Sequence, residues 1–143
     1  MSKYQPCPCK SQKLYNNCCA PFHNGQLPET ALELMRSRFS AFALNIPDYI
    51  IDTTHEDNPQ KEDDLVQWKN DLTSFSEQAN FDGLKIVEFV DGETIATVTF
   101  TAYLSQSTQD FSFTEKSTFK KEDGRWLYLN GEMEKPLHSV ENP

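Results

Sequence analysis

No cysteine follows Cys19 in this 143-residue chain, and no aspartate or glutamate precedes Glu29. The first absence confines thiol chemistry to one short N-terminal segment, and the second leaves lysine as the only formally charged residue there. Glycine is scarce, with five in all, so a phosphate-cradling glycine-rich loop has little material. There is no H-E-x-x-H pattern and no G-x-S-x-G nucleophile turn. No apolar run is long enough to span a bilayer, and the start, M-S-K-Y-Q-P, has no apolar signal core. A cytoplasmic address without a membrane partner is expected.

What the N-terminal segment does contain is a C-x-C-x8-C-C array formed by Cys7, Cys9, Cys18 and Cys19. Zinc is held best by four thiolates in a closed tetrahedron at about 2.3 Å, a structural site that organises a loop too short for its own core. Cys7 lies between Pro6 and Pro8, which favours extended backbone, and side chains two apart on such a segment point the same way. Cys7 and Cys9 therefore face one ion together. Cys18 and Cys19 return from a polar loop of turn formers, with a sharp turn required at the adjacent pair just before Pro21. Lys3, Lys10 and Lys13 are the counter-charges for the negative surplus that four thiolates leave around a dication. One structural Zn(2+) ion is the expectation. Two disulfides would need an oxidising compartment, and free thiols or four-thiolate iron are the other readings of this spacing. His23 could replace Cys19 as fourth ligand, since three thiolates and an imidazole also make a stable site.

The rest of the chain is different in charge and pattern. Formal net charge is −9, yet residues 1–28 hold three lysines and no acid, so the tip is basic and the body strongly acidic. An acidic body repels phosphate backbones, and nucleic acid is not an expected partner. From Pro28 apolar residues recur at helical spacing, Leu32, Met35, Phe39, Phe42 and Ile46, with Thr30 and Glu33 forming a capping-box pattern. Arg36 and Arg38 flank this stripe on opposite sides. Pro47 ends the helix, a short second one is expected over Asp48 to Thr54, and Leu65, Trp68, Leu72, Phe75 and Ala79 mark a third that should pack on a sheet. Beyond Gly83 the period becomes two, giving strands at Leu84 to Val90, Thr94 to Leu104, Asp110 to Lys120 and Arg125 to Asn130. Helices followed by an antiparallel meander define an α+β fold.

One strand carries an anomaly. Phe111, Phe113, Glu115, Ser117 and Phe119 share a face, which aims the Glu115 carboxylate into an aromatic row. Such a group needs a cation or a raised pKa. The structural reading pairs Glu115 with Arg36 or Arg38; the functional reading makes it the polar group, and a general base, of a ligand pocket. Trp126 and Tyr128 share a face and are core or pocket-wall aromatics. His55, at the end of D-T-T-H, is a surface or capping residue, a metal ligand, or a base that serves as a second catalytic group; His138 has no identifying context.

The segment C-P-C-K-S-Q-K-L-Y-N-N-C-C resembles the SEC-C zinc motif of the SecA translocation motor, in which the last ligand is commonly histidine where this chain has Cys19. That motif has glycine after its C-x-C pair, whereas Lys10 stands here. The run from Thr30 to His55 and the segment T-E-K-S-T-F-K-K-E-D-G-R-W-L-Y-L-N-G resemble the bacterial YchJ family. The resemblance implies a zinc knuckle at 1–27, a nuclear-transport-factor-two-like cone at 28–134, with three helices on a curved sheet of about four strands around a cavity, and a tail at 135–143. It implies a protein partner for the knuckle, the ribosome or export and chaperone machinery, and a homodimer paired through the sheets. The resulting expectation is a non-catalytic zinc-binding adaptor; the alternative is a small-molecule or enzymatic pocket built on Glu115 with His55 assisting.

Overall fold

The computed structural model describes residues 4–134; Lys3, His138 and the tail expected at 135–143 lie outside them. A 3-10 turn at Tyr15–Asn17 leads into four helices, α1 (Ala20–His23), α2 (Ala31–Leu44), α3 (Pro47–Asp52) and α4 (Leu65–Gln78). Five strands follow: β1 (Asn80–Val90), β2 (Ile95–Gln106), β3 (Gln109–Asp110), β4 (Phe113–Glu122) and β5 (Arg125–Glu134). They form one antiparallel sheet in the order β1-β2-β4-β5, with the two-residue β3 paired to the end of β2. The expected three helices and four strands are all present; α1 and β3 are the additions. No helix among the described residues is long and apolar enough to cross a membrane.

Helix α2 starts where the capping pattern places it. Thr30 Oγ1 accepts the Glu33 backbone N–H at 3.1 Å, while the Glu33 carboxylate accepts from the Glu29 N–H at 2.8 Å. The helix stops at Asn45, whose left-handed φ of 59° lets the Ile46 N–H return to the Ala41 carbonyl at 2.8 Å. Pro47 then opens α3, where a missing N–H costs nothing. On α2 the buried face is Ala31, Leu34, Met35, Arg38, Phe39 and Ala41; Leu32 and Phe42 sit half-buried at its margins. This face meets the inward side of β2, where Ala96, Val98, Phe100, Ala102 and Leu104 are all buried, with Phe119 and Trp126 completing the core.

The sheet curves because its strands are irregular. Register shifts interrupt β1 between Phe81 and Gly83 and between Ile86 and Glu88, and interrupt the β4–β5 ladder between Thr118 and Phe119; such bulges bend and twist a strand. Strand β1 begins at Asn80 rather than Leu84, so Gly83 is not its boundary. It lies within the strand, and its missing side chain leaves room for the Tyr103 ring, 3.1 Å from where a Cβ would sit.

Helix α4 departs from its expectation. Asp64 caps it by accepting the Gln67 N–H at 3.1 Å, but none of its residues is buried. It rests against α2 and α3, with Phe75 edge-on to both Phe42 and Phe81, instead of lying flat on the sheet. The segment after α3 runs along β5: the His55 N–H donates to the Tyr128 carbonyl at 2.8 Å and the Tyr128 N–H to the Thr53 carbonyl at 2.8 Å. These bonds cover an edge that would otherwise offer free pairing groups.

Candidate metal centre and cone cavity

The N-terminal segment is a small hairpin closed by backbone bonds, Cys7 N–H to Lys13 carbonyl at 2.8 Å and Tyr15 N–H to Gln5 carbonyl at 2.8 Å. It gathers the sulfurs of Cys7, Cys9, Cys18 and Cys19 so that all lie within 4.8 Å of one another. Cys7, Cys9 and Cys19 are buried and Cys18 is half-buried. The Cys9–Cys18 and Cys18–Cys19 sulfur separations are 3.5 Å and 3.9 Å. A tetrahedron with metal–sulfur bonds of about 2.3 Å has edges of about 3.8 Å, whereas a disulfide requires about 2.05 Å. The cluster therefore has the dimensions to hold a metal ion.

The same turn explains the departure at Lys10. Its N–H donates to the Cys7 carbonyl at 3.1 Å, and its backbone takes φ 65°, with Gln12 at φ 73°. A side chain in this left-handed region is strained, so glycine would be at ease where the chain has lysine.

Two ties hold the hairpin to α2. Arg36 Nη1 donates to the Cys9 carbonyl at 2.9 Å and lies 3.9 Å from the Cys9 sulfur, giving the thiolates a guanidinium neighbour. Arg36 therefore belongs to the knuckle and is neither a pocket residue nor the partner of Glu115. His23 provides the second tie. Its Nε2–H donates to the Ser37 carbonyl at 2.8 Å, so its Nδ1 is the acceptor for the Tyr15 hydroxyl at 2.6 Å. With both ring nitrogens engaged, His23 is no substitute ligand, and burial pulls its pKa down.

Within the cone lies a cavity of about 320 Å³, lined by side chains of α2, α4 and the inward face of the sheet, with Arg38, Glu115, Ser117 and Tyr128 as one polar cluster and Thr54, Asn58 and Gln60 also on its wall. Arg38 does not form the expected ion pair with Glu115. Its Nη1 donates to Thr53 Oγ1 at 2.7 Å, the Ile50 carbonyl at 3.1 Å and Thr54 Oγ1 at 3.2 Å, and the guanidinium carbon sits 4.6 Å from the centre of the Tyr128 ring. Burial draws the Arg38 pKa down to about 10, which leaves it charged at neutral pH. The Glu115 Oε2 accepts from Ser117 Oγ at 2.5 Å and from the Tyr128 hydroxyl at 2.9 Å. Burial, and then the charge of Glu115, push the Tyr128 phenol upward.

The other candidates fall outside this cavity. Trp126 is buried, donates from Nε1 to the Glu29 carbonyl at 3.3 Å, and borders a separate cleft beside α3. His55 is 1% exposed, so it is neither a surface residue nor a group facing the cone cavity. Its Nδ1 accepts the Asp57 N–H at 2.9 Å, which places the ring proton on Nε2, 2.8 Å from Glu122 Oε2. It is a loop cap, and it first, with Lys120 second, holds the Glu122 carboxyl below the usual carboxylate range. Ser117 was visible in the sequence as a same-face neighbour of Glu115. Thr53 and Thr54, which hold Arg38, had no such signal because the contact spans helix α3.

Knuckle and cone together define a class: an NTF2-like domain preceded by a four-cysteine knuckle. The family model for the YchJ middle NTF2-like domain matches residues 30–131. A UPF0225 protein of Deinococcus radiodurans is 38% identical over 129 residues, covering 89% of this chain and 88% of the relative; one of Sodalis glossinidius is 37% identical over 131 residues, covering 88% and 82%. The solution structure of a SEC-C motif containing protein from Rhodopseudomonas palustris superposes with a TM-score of 0.79 at 29% identity, covering 92% of this chain and all of that one. The chain belongs to the YchJ, or UPF0225, family.

Two substitutions probe these geometries. Lys10→Gly relieves the left-handed strain, offset in part by the greater freedom of glycine in the unfolded chain, and should stabilise the metal-loaded protein by about 0.5 kcal/mol; unchanged or lowered thermal stability would contradict the strain. A Cβ at Gly131 would collide with the Glu115 carboxylate and the Tyr128 hydroxyl. Gly131→Ala should therefore break that hydrogen-bonded pair and cost about 1–3 kcal/mol in denaturant unfolding, whereas a neutral effect would mean that Glu115 is not held there.

Proposed function

We propose that this protein is a zinc-binding adaptor, in which one structural Zn(2+) held by Cys7, Cys9, Cys18 and Cys19 stiffens a basic tip for docking on a protein partner. The observation that carries the reading is the convergence of four free thiols within 4.8 Å of one another. A site of four thiolates leaves no open coordination position, so its chemistry is structural. Around it the tip presents exposed Lys10 and Lys13 beside Tyr4 and Leu14, which are 68% and 41% exposed. Cations interleaved with apolar groups suit an acidic protein surface with hydrophobic patches. The ties through Arg36 and His23 keep the tip in a set orientation on the body, which lowers the ordering cost of binding.

Zinc binding should depend steeply on pH. In the metal-free cluster a hydrogen bond from Cys19 pulls Cys7 down, but the competing Cys9 thiol and burial outweigh it and leave Cys7 pushed up to about 11. Donation to Cys7 and Cys9, together with burial, raises Cys19 further, while the bonds from Cys19 and Cys7 hold Cys9 low. The raised thiols must lose protons as metal enters, so affinity falls as pH falls. With at least two protons released, apparent affinity should drop about a hundredfold per pH unit below neutrality. Competition with a chromophoric chelator measures this slope, and a flat profile would remove the thiolate site.

The adaptor role is tested by capture. Elemental analysis should give one zinc per chain, and a Cys18→Ser/Cys19→Ser variant should lose both metal and partner while the helices and sheet keep their circular-dichroism signal. Lys10→Glu/Lys13→Glu should lose salt-sensitive capture and retain zinc. Capture that survives all four substitutions, or that recovers nucleic acid instead of protein, would sink the adaptor reading.

A further inference from the structure

The cone cavity holds two ionised side chains that are built to face something other than each other. Arg38 spends only Nη1 on the protein, and Glu115 only Oε2. Among the described residues Arg38 Nε and Nη2 and Glu115 Oε1 have no hydrogen-bond partner, and none of the three belongs to the unpartnered atoms sealed from any surface. The two residues that carry them both line the cavity. No ion pair within 4.0 Å joins the two. A buried charge without its opposite is costly, and an interior normally packs without a hollow of about 320 Å³, the share of roughly ten liquid waters.

Each group is also held in place beforehand. Three oxygen acceptors and the Tyr128 ring orient the guanidinium, and two hydroxyl donors orient the carboxylate. Apart from Thr54, Asn58 and Gln60, the remaining wall is aromatic and aliphatic, including Phe39, Phe81, Phe100 and Phe113. Helix α4, which has no buried residue, contributes Trp68, Leu72 and Phe75 to the same wall and leaves Phe75 43% exposed, so the cavity reaches the surface beside it.

We propose that the cone cavity binds a neutral amphipathic small molecule, its apolar body against the phenylalanine wall and its polar head, an amide or hydroxycarbonyl group, donating to Glu115 Oε1 and accepting from Arg38. The cavity carries one positive and one negative side chain and is neutral overall. An anionic head would satisfy Arg38 but meet Glu115, and a cationic head would do the reverse, each at a desolvation cost the cavity does not compensate. A head with both a donor and an acceptor satisfies both. This inference stands apart from the metal tip, and its test leaves the cysteines untouched.

The experiment titrates three analogues into the zinc-loaded full chain by ligand-observed NMR: phenylpropanamide, phenylpropanoate and phenylpropylamine. The amide should bind with a dissociation constant of about 1 mM or tighter, and roughly tenfold more tightly than either charged analogue. Glu115→Gln leaves Arg38 as the lone charge and should reverse the order in favour of phenylpropanoate. Leu72→Trp, on the exposed helix α4, fills the cavity from a position that tolerates bulk and should abolish binding of the amide with the fold intact. No amide binding at roughly tenfold above that concentration, a wild-type preference for a charged analogue, an unchanged order in Glu115→Gln, or undiminished binding in folded Leu72→Trp would each overturn the proposal.

Discussion

Helix α2 is the wall shared by the cysteine knuckle and the cone cavity, and both sites depend on where it lies. Residues two apart on an α-helix point about 200° away from each other, so Arg36 and Arg38 leave α2 in opposite directions. Arg36 reaches out to the Cys9 carbonyl, and Arg38 reaches inward to the oxygen atoms of α3 and its end. Between them the apolar face of Leu34, Met35 and Phe39 packs on the sheet. A rotation of the helix that improved one arginine's contacts would withdraw the other, and the core stripe opposes either movement.

The electrostatic design follows from that division. A guanidinium at the knuckle sits beside sulfurs that carry negative charge when metal is bound, which lowers the cost of crowding four thiolates. The guanidinium inside the cone has no carboxylate in contact and is held by a carbonyl, two hydroxyls and a ring face. Those neutral acceptors keep it charged without cancelling its field. Glu115 is treated the same way, by donors that are hydroxyls and not cations. A structural ion pair would have annulled both groups; this arrangement keeps two opposite charges available in one hollow.

Much of this was legible before any coordinates. Cysteine spacing and the two prolines announced a converging set, the Thr30–Glu33 pattern marked the start of α2, and alternation put Glu115 among aromatics. What failed had a common physical cause: side-chain partners far apart in the chain. Tyr128 reaches Glu115 across a ladder whose register shifts between Thr118 and Phe119, and alternation alone cannot count through a bulge. The first strand was expected to start only after Gly83, because the role of that glycine depends on the Tyr103 ring across the sheet. Helix α4 has amphipathic spacing, but spacing shows only which face is apolar, and that face borders a cavity instead of a packed layer. His55, expected as a surface or capping residue, caps its loop but is buried, because the segment that carries it runs along β5.

The two sites also differ in what their loss would do to the chain, and the contacts show why. The hairpin is closed by its own backbone bonds and attached to the body through polar contacts of Arg36 and His23, while its only buried apolar group is the cysteine cluster itself. Four sulfurs supply too little apolar surface to offset the ordering of a segment of that length, a cost that a bound metal ion would offset. The body keeps a continuous core from Ala31 to Trp126 that includes no cysteine. Arg36 is therefore the residue through which the cysteine tip is referenced to the body: α2 decides where the tip points.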